Sequence, residues 1–346
     1  MKETIGVCLI GAGRCGMIHA GNFASSVPHA NLVAISDVSA ENAKARAEEL
    51  GIAQWYTDYR DALKNPAVDA VLIVTPTKFH HEIAIASAKA GKHIYCEKPM
   101  AMNAEECAEM IGAAQENNVK LQVGFIRRFD ESFRRAKEIV DSGAIGEVVM
   151  VKSLTRGPST PHEWMYDIEK SNGPLAEVSS HDIDTLRWIS GSEAGSLYAM
   201  AGNYRCGDAK EAYPDFYDSV LMNVRMENGV MGCIEGAQGV QYGYDARVDI
   251  LGTKGCVTVG DLKDTSTVTY TAENGMVSDV AKAWVKVFKG AYVQEDISFI
   301  QCILNDTEPE VTGYDGMMAA AIVKAGNESI KRDQIIYLNK KGEQKC

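Results

Sequence analysis

The side chains best suited to acid–base work are Lys98 and the run Glu177-Val178-Ser179-Ser180-His181-Asp182-Ile183-Asp184. Glu177 and His181 are four residues apart and Asp184 is three further on, so one continuous helix would carry all three on a single face. The spacing predicts such a helix continuing through Trp188, with Val178, Ile183, Leu186 and Ile189 turned inward. Histidine changes charge nearest to neutral pH, which makes His181 a candidate general base and Glu177 a group to orient it. Structural histidines also occur at this spacing, so the pattern alone does not choose. Lys98 lies in Glu97-Lys98-Pro99, directly after the apolar residues 93–96. An ammonium there can polarise a reacting oxygen, and Pro99 restricts the chain that presents it.

The elements that position these groups begin with a phosphate loop. An apolar run over 5–10 passes straight into Gly11-Ala12-Gly13-Arg14-Cys15-Gly16, and a helix is predicted over 17–25. Gly11 suits the tight turn, Gly13 a close approach of backbone to pyrophosphate, and Gly16 close packing of helix on strand. The helix N-terminus then offers N–H groups and a positive dipole end to the phosphates. A second strand, over 32–36, closes on Asp37, whose carboxylate suits the adenosine ribose hydroxyls and repels a 2′-phosphate. Val38-Ser39 supplies no compensating cation, so NAD is expected over NADP. Further strands over 70–74, 93–96 and 120–124 alternate with helices over 40–50, 78–90 and 104–117. That alternation predicts a doubly wound parallel sheet with ligand at the C-terminal strand ends, where Thr75, Pro76, Glu97 and Lys98 fall.

After Gly124 the pattern changes to a helix over 132–142 followed by strands over 147–154, 196–203, 218–225, 230–236, 247–251 and 256–259. Asn228-Gly229 is a hairpin signal, and Thr253-Lys254-Gly255 reads as a second tight connection. The expected architecture is α/β plus α+β: a Rossmann domain over 1–124 and a largely antiparallel substrate and oligomerisation domain over 125–346. Apolar residues on both faces of the later strands suggest sheet-to-sheet packing between copies, hence a homo-oligomer, dimer or tetramer.

Composition narrows the rest. The 346 residues are 46% hydrophobic and 24% charged, a globular balance, and the net charge of −12 argues against a nucleic-acid partner. No apolar stretch reaches membrane-spanning length, and no leader is evident. The nine cysteines lack metal-ligand spacing, and several, such as Cys8, Cys233 and Cys302, lie in apolar segments. That pattern suits reduced thiols in the cytoplasm, and no metal is expected. His80 and His81 follow Pro76, where ligand contact and a helix-start role are equally open, and His162 lies beside Trp164 and Tyr166 in a loop able to cover a pocket.

Residues 5–16, the continuation Met17-Ile18-His19-Ala20, Glu97-Lys98-Pro99 and Gly124-Phe125-Ile126-Arg127-Arg128-Phe129-Asp130 together resemble the Gfo/Idh/MocA oxidoreductases, most of all their inositol 2-dehydrogenase branch. The likeness continues through 173–191 and 292–315. It implies a Rossmann domain followed by an open-faced β-sheet domain, often assembled as a tetramer. It also implies that Lys98 is the active-site lysine, His181 the catalytic histidine, Glu97 a neighbour of the nicotinamide ribose, and Arg127 and Tyr292 parts of the substrate pocket. Two positions depart from the family pattern. Glu177 stands where aspartate is usual, and Thr155-Arg156-Gly157-Pro158 replaces a His-x-Asn loop, leaving Arg156 and Asp184 as the substrate-side candidates.

The implied reaction oxidises a ring secondary alcohol of a cyclic polyol or sugar to a ketone, with Lys98 and His181 acting on one carbinol. Alternatives are a glycoside or sugar 3-dehydrogenase, an NAD-dependent glycosidase with tightly held NAD, and a non-enzymatic ligand sensor. The retained Lys98 and His181 weigh against the last.

Overall fold

The computed structural model describes residues 3–339 and 341–345. Two compact units divide the chain: Met1–Phe129 with Gly290–Ala320, and Asp130–Lys289 with Ala321–Cys346. The longer helices, in chain order, are α1 (Arg14–Ser25), α2 (Ala40–Glu49), α3 (His80–Lys89), α4 (Ala104–Glu116), α5 (Glu131–Asp141), α6 (Ser180–Ser190), α7 (Lys289–Leu304) and α8 (Gly313–Arg332).

The first unit is built on β1 (Ile5–Ile10), β2 (Ala30–Ser36), β3 (Gln54–Tyr56), β4 (Ala70–Ile73), β5 (His93–Glu97) and β6 (Leu121–Gly124). These form one sheet in the order β3-β2-β1-β4-β5-β6, and every neighbouring pair is parallel. Strands β1, β4 and β6 are buried at every position, which is why β1 and β4 read as unbroken apolar runs. The order reverses direction at β1 and β4, and a crevice at such a reversal is where a doubly wound sheet takes its ligand. Short β3 has no periodic signal in the sequence and was not anticipated.

The parallel sheet ends at Gly124 as expected, but the compact unit does not. It continues through the turn Ile126–Phe129 and recruits a second segment, 290–320. Phe299, Ile300 and Cys302 of α7 join Leu9, Phe23, Leu72 and Tyr95 in one apolar core. Thr312 adds a bridge to Gln122 of β6. Local periodicity carries no trace of such a return.

The second unit holds β7 (Val148–Arg156), β8 (Ala194–Gly202), β9 (Ser219–Met226), β10 (Met231–Ala237), β11 (Asp245–Gly252), β12 (Cys256–Val259), an exposed hairpin of β13 (Lys263–Thr271) and β14 (Gly275–Val280), and short β15 (Ile336–Tyr337). Its seven-stranded sheet has the order β12-β11-β7-β10-β9-β8-β15. All its pairs are antiparallel except β7 with β10, which are parallel. The Asn-Gly turn forms as expected: Gly229 takes φ +90°, and the Met226 N–H donates to the Val230 carbonyl at 2.9 Å. The β13–β14 hairpin, rich in threonine and largely exposed, escaped the sequence reading.

Register separates the two faces of this sheet. Ser153 and Thr155 of β7 point to the α6 side, where a side chain at Gly232 would strike Leu186. On the opposite face Met150 stands across from both Met231 and Leu251, and all three are exposed. Alternation by twos makes this an unavoidable division.

Candidate functional site

The glycine loop behaves as three separate constraints. Gly11 has φ +101°, and a Cβ on it would lie 2.5 Å from the Val74 carbonyl oxygen. A Cβ on Gly16 would sit 2.0 Å from the Gly11 carbonyl oxygen, so only hydrogen lets α1 pack this closely on the loop. A Cβ on Gly13 would meet nothing within 4 Å: the space above this exposed backbone is open. Gly13 is the N-cap of α1, which has no side-chain cap and no acidic residue in its first turn. By contrast Ser39 caps α2 and Asn103 caps α4. The positive end of α1, flanked by exposed Arg14 and half-buried Cys15, is therefore presented to a ligand.

Asp37 follows β2 and is held against this loop. Its Oδ2 accepts from the Ala12 N–H at 2.9 Å and from Asn42 Nδ2 at 3.0 Å, and its Oδ1 accepts from the Ser39 N–H at 2.9 Å. Next to it Val38 is 95% exposed and carries no charge. At the end of β4 the Thr75 Oγ1 is buried without a hydrogen-bond partner, beside exposed Pro76. An open glycine cradle, an uncapped helix, an anchored carboxylate and an orphaned hydroxyl fit a dinucleotide without a 2′-phosphate.

His80, left open by the sequence, is buried and links two strand ends: Nε2 lies 2.7 Å from the Thr75 carbonyl and Nδ1 2.9 Å from the Pro99 carbonyl. Burial pushes its pKa down in spite of these two acceptors. His81, in contrast, meets Glu109 at the surface.

Beneath the Glu97-Lys98-Pro99 turn lies a buried polar cluster that sequence reading missed. Glu97 Oε2 accepts from the Lys98 N–H at 2.9 Å, and Oε1 faces His19 Nε2 at 3.1 Å. His19 Nδ1 faces Asp296 Oδ1 at 2.7 Å, and Asn22 donates to the other Asp296 oxygen at 2.8 Å. Tyr95 donates to Glu97 at 3.4 Å, and the ring of Tyr292 stands edge-on to His19 at 5.2 Å. Tyr292 thus packs on this cluster. Burial opposes charge on His19, but Asp296 and Glu97 overcome it and hold its pKa well above the ordinary histidine value. Burial likewise opposes charge on Glu97, and His19 and Lys98 reverse that, leaving its pKa lowered. Cys15, His19 and Glu97 bring ligand-type atoms within 4.8 Å of one another. Both His19 nitrogens already face carboxylate oxygens, so the trio reads as a hydrogen-bonded cluster. The one signal available beforehand was the histidine three residues past the last motif glycine. Lys98 itself is half-buried, and Arg127 is 1% exposed within the turn after β6.

In the second unit the helix expected across Glu177 and His181 is interrupted. A short helix, Gly173–Glu177, ends there, and α6 starts at Ser180. The Pro174 carbonyl accepts from both Val178 and Ser179, which absorbs the break. The break brings Ser179 against β10, where only a glycine fits: a Cβ on Gly236 would lie 2.2 Å from Ser179 Oγ. Glu177 and His181, both half-buried, flank this break rather than stacking on one ideal helical face. Asp182, unremarked in the sequence, is fully buried and accepts from Ser153 Oγ at 2.6 Å and Thr155 Oγ1 at 2.7 Å. Those bonds lock the first turn of α6, and with it His181, onto β7. Asp184 is 1% exposed and lies 3.8 Å from Arg187. Arg156 is not brought together with His181. It lies on the sheet face opposite α6, donating to Glu235 at 2.8 Å and to the Tyr242 hydroxyl at 3.3 Å. His162 precedes a short helix in which Tyr166 packs on Phe216, and Trp164 is exposed.

Comparison with known proteins agrees with both units. Residues 5–125 match the model of the oxidoreductase family with an NAD-binding Rossmann fold, and residues 133–258 match the GFO/IDH/MocA C-terminal domain. The chain is 35% identical to the uncharacterised oxidoreductase YrbE of Bacillus subtilis over 95% of each chain. It is 33% identical to scyllo-inositol 2-dehydrogenase (NAD(+)) of Bacillus subtilis, over 99% of this chain and 98% of the relative. The crystal structure of scyllo-inositol dehydrogenase from Lactobacillus casei with bound NAD(H) and scyllo-inositol superposes with a TM-score of 0.89 at 28% identity, covering 96% of this chain and 99% of that one. Among the described residues no helix is long and apolar enough to cross a membrane.

The glycines separate folding from binding. Gly13→Ala should keep the stability of the parent within about 1 kcal/mol, since its methyl meets open space, yet weaken NAD binding. Gly16→Ala should lose more than about 2 kcal/mol through its clash with Gly11. Urea melts with and without NAD read both effects, and equal destabilisation by the two variants would contradict the assignment.

Glu295 provides a pH test. It is fully buried, and burial, followed by the Glu97 charge, lifts its pKa well above the ordinary 4.5. The native state therefore keeps a proton that the unfolded chain releases above that value. The associated stability is complete below it and is lost as pH rises toward the native pKa. Glu295→Gln removes the loss. As pH rises from the ordinary carboxylate value toward the native pKa, the variant should gain on the parent by up to about 1.4 kcal/mol per pH unit. A stability difference independent of pH would mean that Glu295 is ionised in the native protein.

Proposed function

The chain belongs to the Gfo/Idh/MocA family of NAD-dependent oxidoreductases, and we propose that it oxidises one ring hydroxyl of an inositol to the ketone. The observation that carries this reading is end-to-end similarity to an inositol 2-dehydrogenase in a chain that keeps Lys98 on a turn braced by Glu97. NAD, when bound, accepts the hydride from the carbinol carbon. Lys98 donates a hydrogen bond to the carbinol oxygen and stabilises the negative charge that develops there. His181 takes the hydroxyl proton, and Glu177 orients the imidazole and stabilises its cation. Asp182 supports this arrangement by pinning α6 to β7, and Arg127 contributes to the polyol site.

The open face of the second sheet supports a homo-oligomer. Met150, Met200, Met231 and Leu251 are between 36% and 48% exposed there, and a second copy of the same face would cover them. The described cysteines are free thiols, which suits a reducing cytoplasm.

Incubation of the protein with NAD and a panel of inositols, monosaccharides and glycosides, followed by NMR of the product, tests the reaction. An inositol should give NADH and a cyclic ketone, and exclusive turnover of a glycoside would replace this reading. Replacing NAD by NADP should lower kcat/KM at least about tenfold, since Asp37 opposes a 2′-phosphate. Lys98→Ala should cut kcat by about 10²–10³-fold with NAD affinity nearly unchanged. Unaltered kcat in that variant would remove Lys98 from the chemistry. Light scattering should return a dimer or tetramer, and Met150→Lys with Met231→Lys should shift it toward monomer.

A further inference from the structure

We propose that His19 is a positioning residue for Lys98: held between Glu97 and Asp296 as a buried cation, it keeps Glu97 ionised, and Glu97 in turn pins the Lys98 backbone. The inference deepens the proposed oxidation and rests on Lys98 being the group that meets the substrate oxygen.

Geometry carries it. His19 is 0% exposed, so no water competes for its ring. Its two nitrogens point at two different carboxylates, at 2.7 Å and 3.1 Å. A neutral imidazole has one N–H and one lone pair, so it would set that lone pair against a carboxylate oxygen. Only the imidazolium donates to both. Titratable groups reach it from three elements: Cys15 from α1, Tyr95 and Glu97 from β5, and Tyr292, Glu295 and Asp296 from α7. Burial pushes the Asp296 carboxyl up while His19 pulls it down, so the imidazole is the cationic group that both Asp296 and Glu97 rely on, and the Lys98 ammonium follows Glu97 directly in the chain. Without the imidazolium, Glu97 would share a dry site with Asp296, and burial would favour its protonated form. A protonated Glu97 is a poorer acceptor for the Lys98 N–H, so the turn that presents the lysine loses its anchor.

The effect is one of position and not of proton transfer to substrate. It therefore predicts a changed pH dependence in place of a uniform loss. In His19→Gln, kcat at neutral pH should fall about tenfold or more while the KM for NAD stays within about threefold. The acidic limb of the kcat profile should move up by about one pH unit or more, with activity recovering at alkaline pH. Adding Asp296→Asn removes the competing carboxylate and should move that limb back toward the parent's. An equal loss at every pH, unrelieved by Asp296→Asn, would show a purely structural role and overturn the proposal.

A second measurement needs neither a substrate nor a variant. Histidine nitrogen shifts of the ¹⁵N-labelled, NAD-bound protein should show one imidazolium that persists well past the ordinary histidine range, after the other histidines have become neutral. If every histidine is neutral by about pH 7.5, His19 does not carry the charge and the inference fails. Should no polyol be oxidised by the parent protein, the functional reading falls, while these shifts still decide the state of His19.

Discussion

A buried carboxylate is tolerable only with a cation or several donors at hand, and Glu97 has both. Taking such a group out of water costs several kcal/mol, which no apolar packing recovers. The compensation comes from segments far apart in sequence: His19 on α1, Tyr95 on β5 and the Lys98 N–H just after it, with Asp296 on α7 completing the shell. This explains why the first unit needs residues 290–320. α7 fills the apolar core with Phe299 and Ile300, and the same helix delivers Asp296 and Glu295 to the His19 side of the sheet. Packing and electrostatics thus fix α7 together, and the strand end that carries Lys98 inherits its rigidity from both.

The second unit solves a related problem with neutral donors. Asp182 is also fully buried, but its partners are two hydroxyls on alternate positions of β7. Residues 153 and 155 share a face because strand side chains alternate, so their two hydroxyls converge on one carboxylate, each reaching a different oxygen. Arg156, one residue on, must take the other face. A single residue of register therefore separates the groups that hold α6 from the charged ladder of Arg156, Glu235 and Asp245. The helix break at Val178-Ser179 belongs to the same design, since it allows Ser179 to approach the glycine of β10.

Much of this was legible beforehand, for definable reasons. The parallel strands announced themselves because strands buried on both faces are mostly apolar, and the motif glycines because Gly11 and Gly16 answer steric demands of the fold while Gly13 leaves space open for a ligand. Asp37 was readable because a strand end and a phosphate loop fix its place. The later strands showed through their turns, above all Asn228-Gly229. What stayed hidden depends on distant partners. Nothing near residue 296 signals a contact with His19, and nothing near residue 182 signals two hydroxyls on β7. The parallel pairing of β7 with β10 has no local signature either, because side-chain alternation is the same in both directions. The interruption after Glu177 was obscured by spacing that suits an unbroken helix.

Substitution of aspartate by Glu177 gains meaning from that interruption. On an ideal helix an extra methylene would push the carboxylate past a histidine four residues on, by roughly 1.5 Å. Here the chain between Glu177 and His181 is not ideal: the Pro174 carbonyl takes two N–H donors and the helix restarts at Ser180. A longer side chain on one side of a break and a pinned helix on the other can restore a separation that a shorter side chain achieves with different backbone geometry. In the proposed pair His181 would be the fixed member, because Asp182 immobilises its neighbour against β7, and adjustment would fall to the carboxylate. Its length is then a property to be judged with the backbone that carries it, and a departure from the family pattern at this position does not by itself argue for a different reaction.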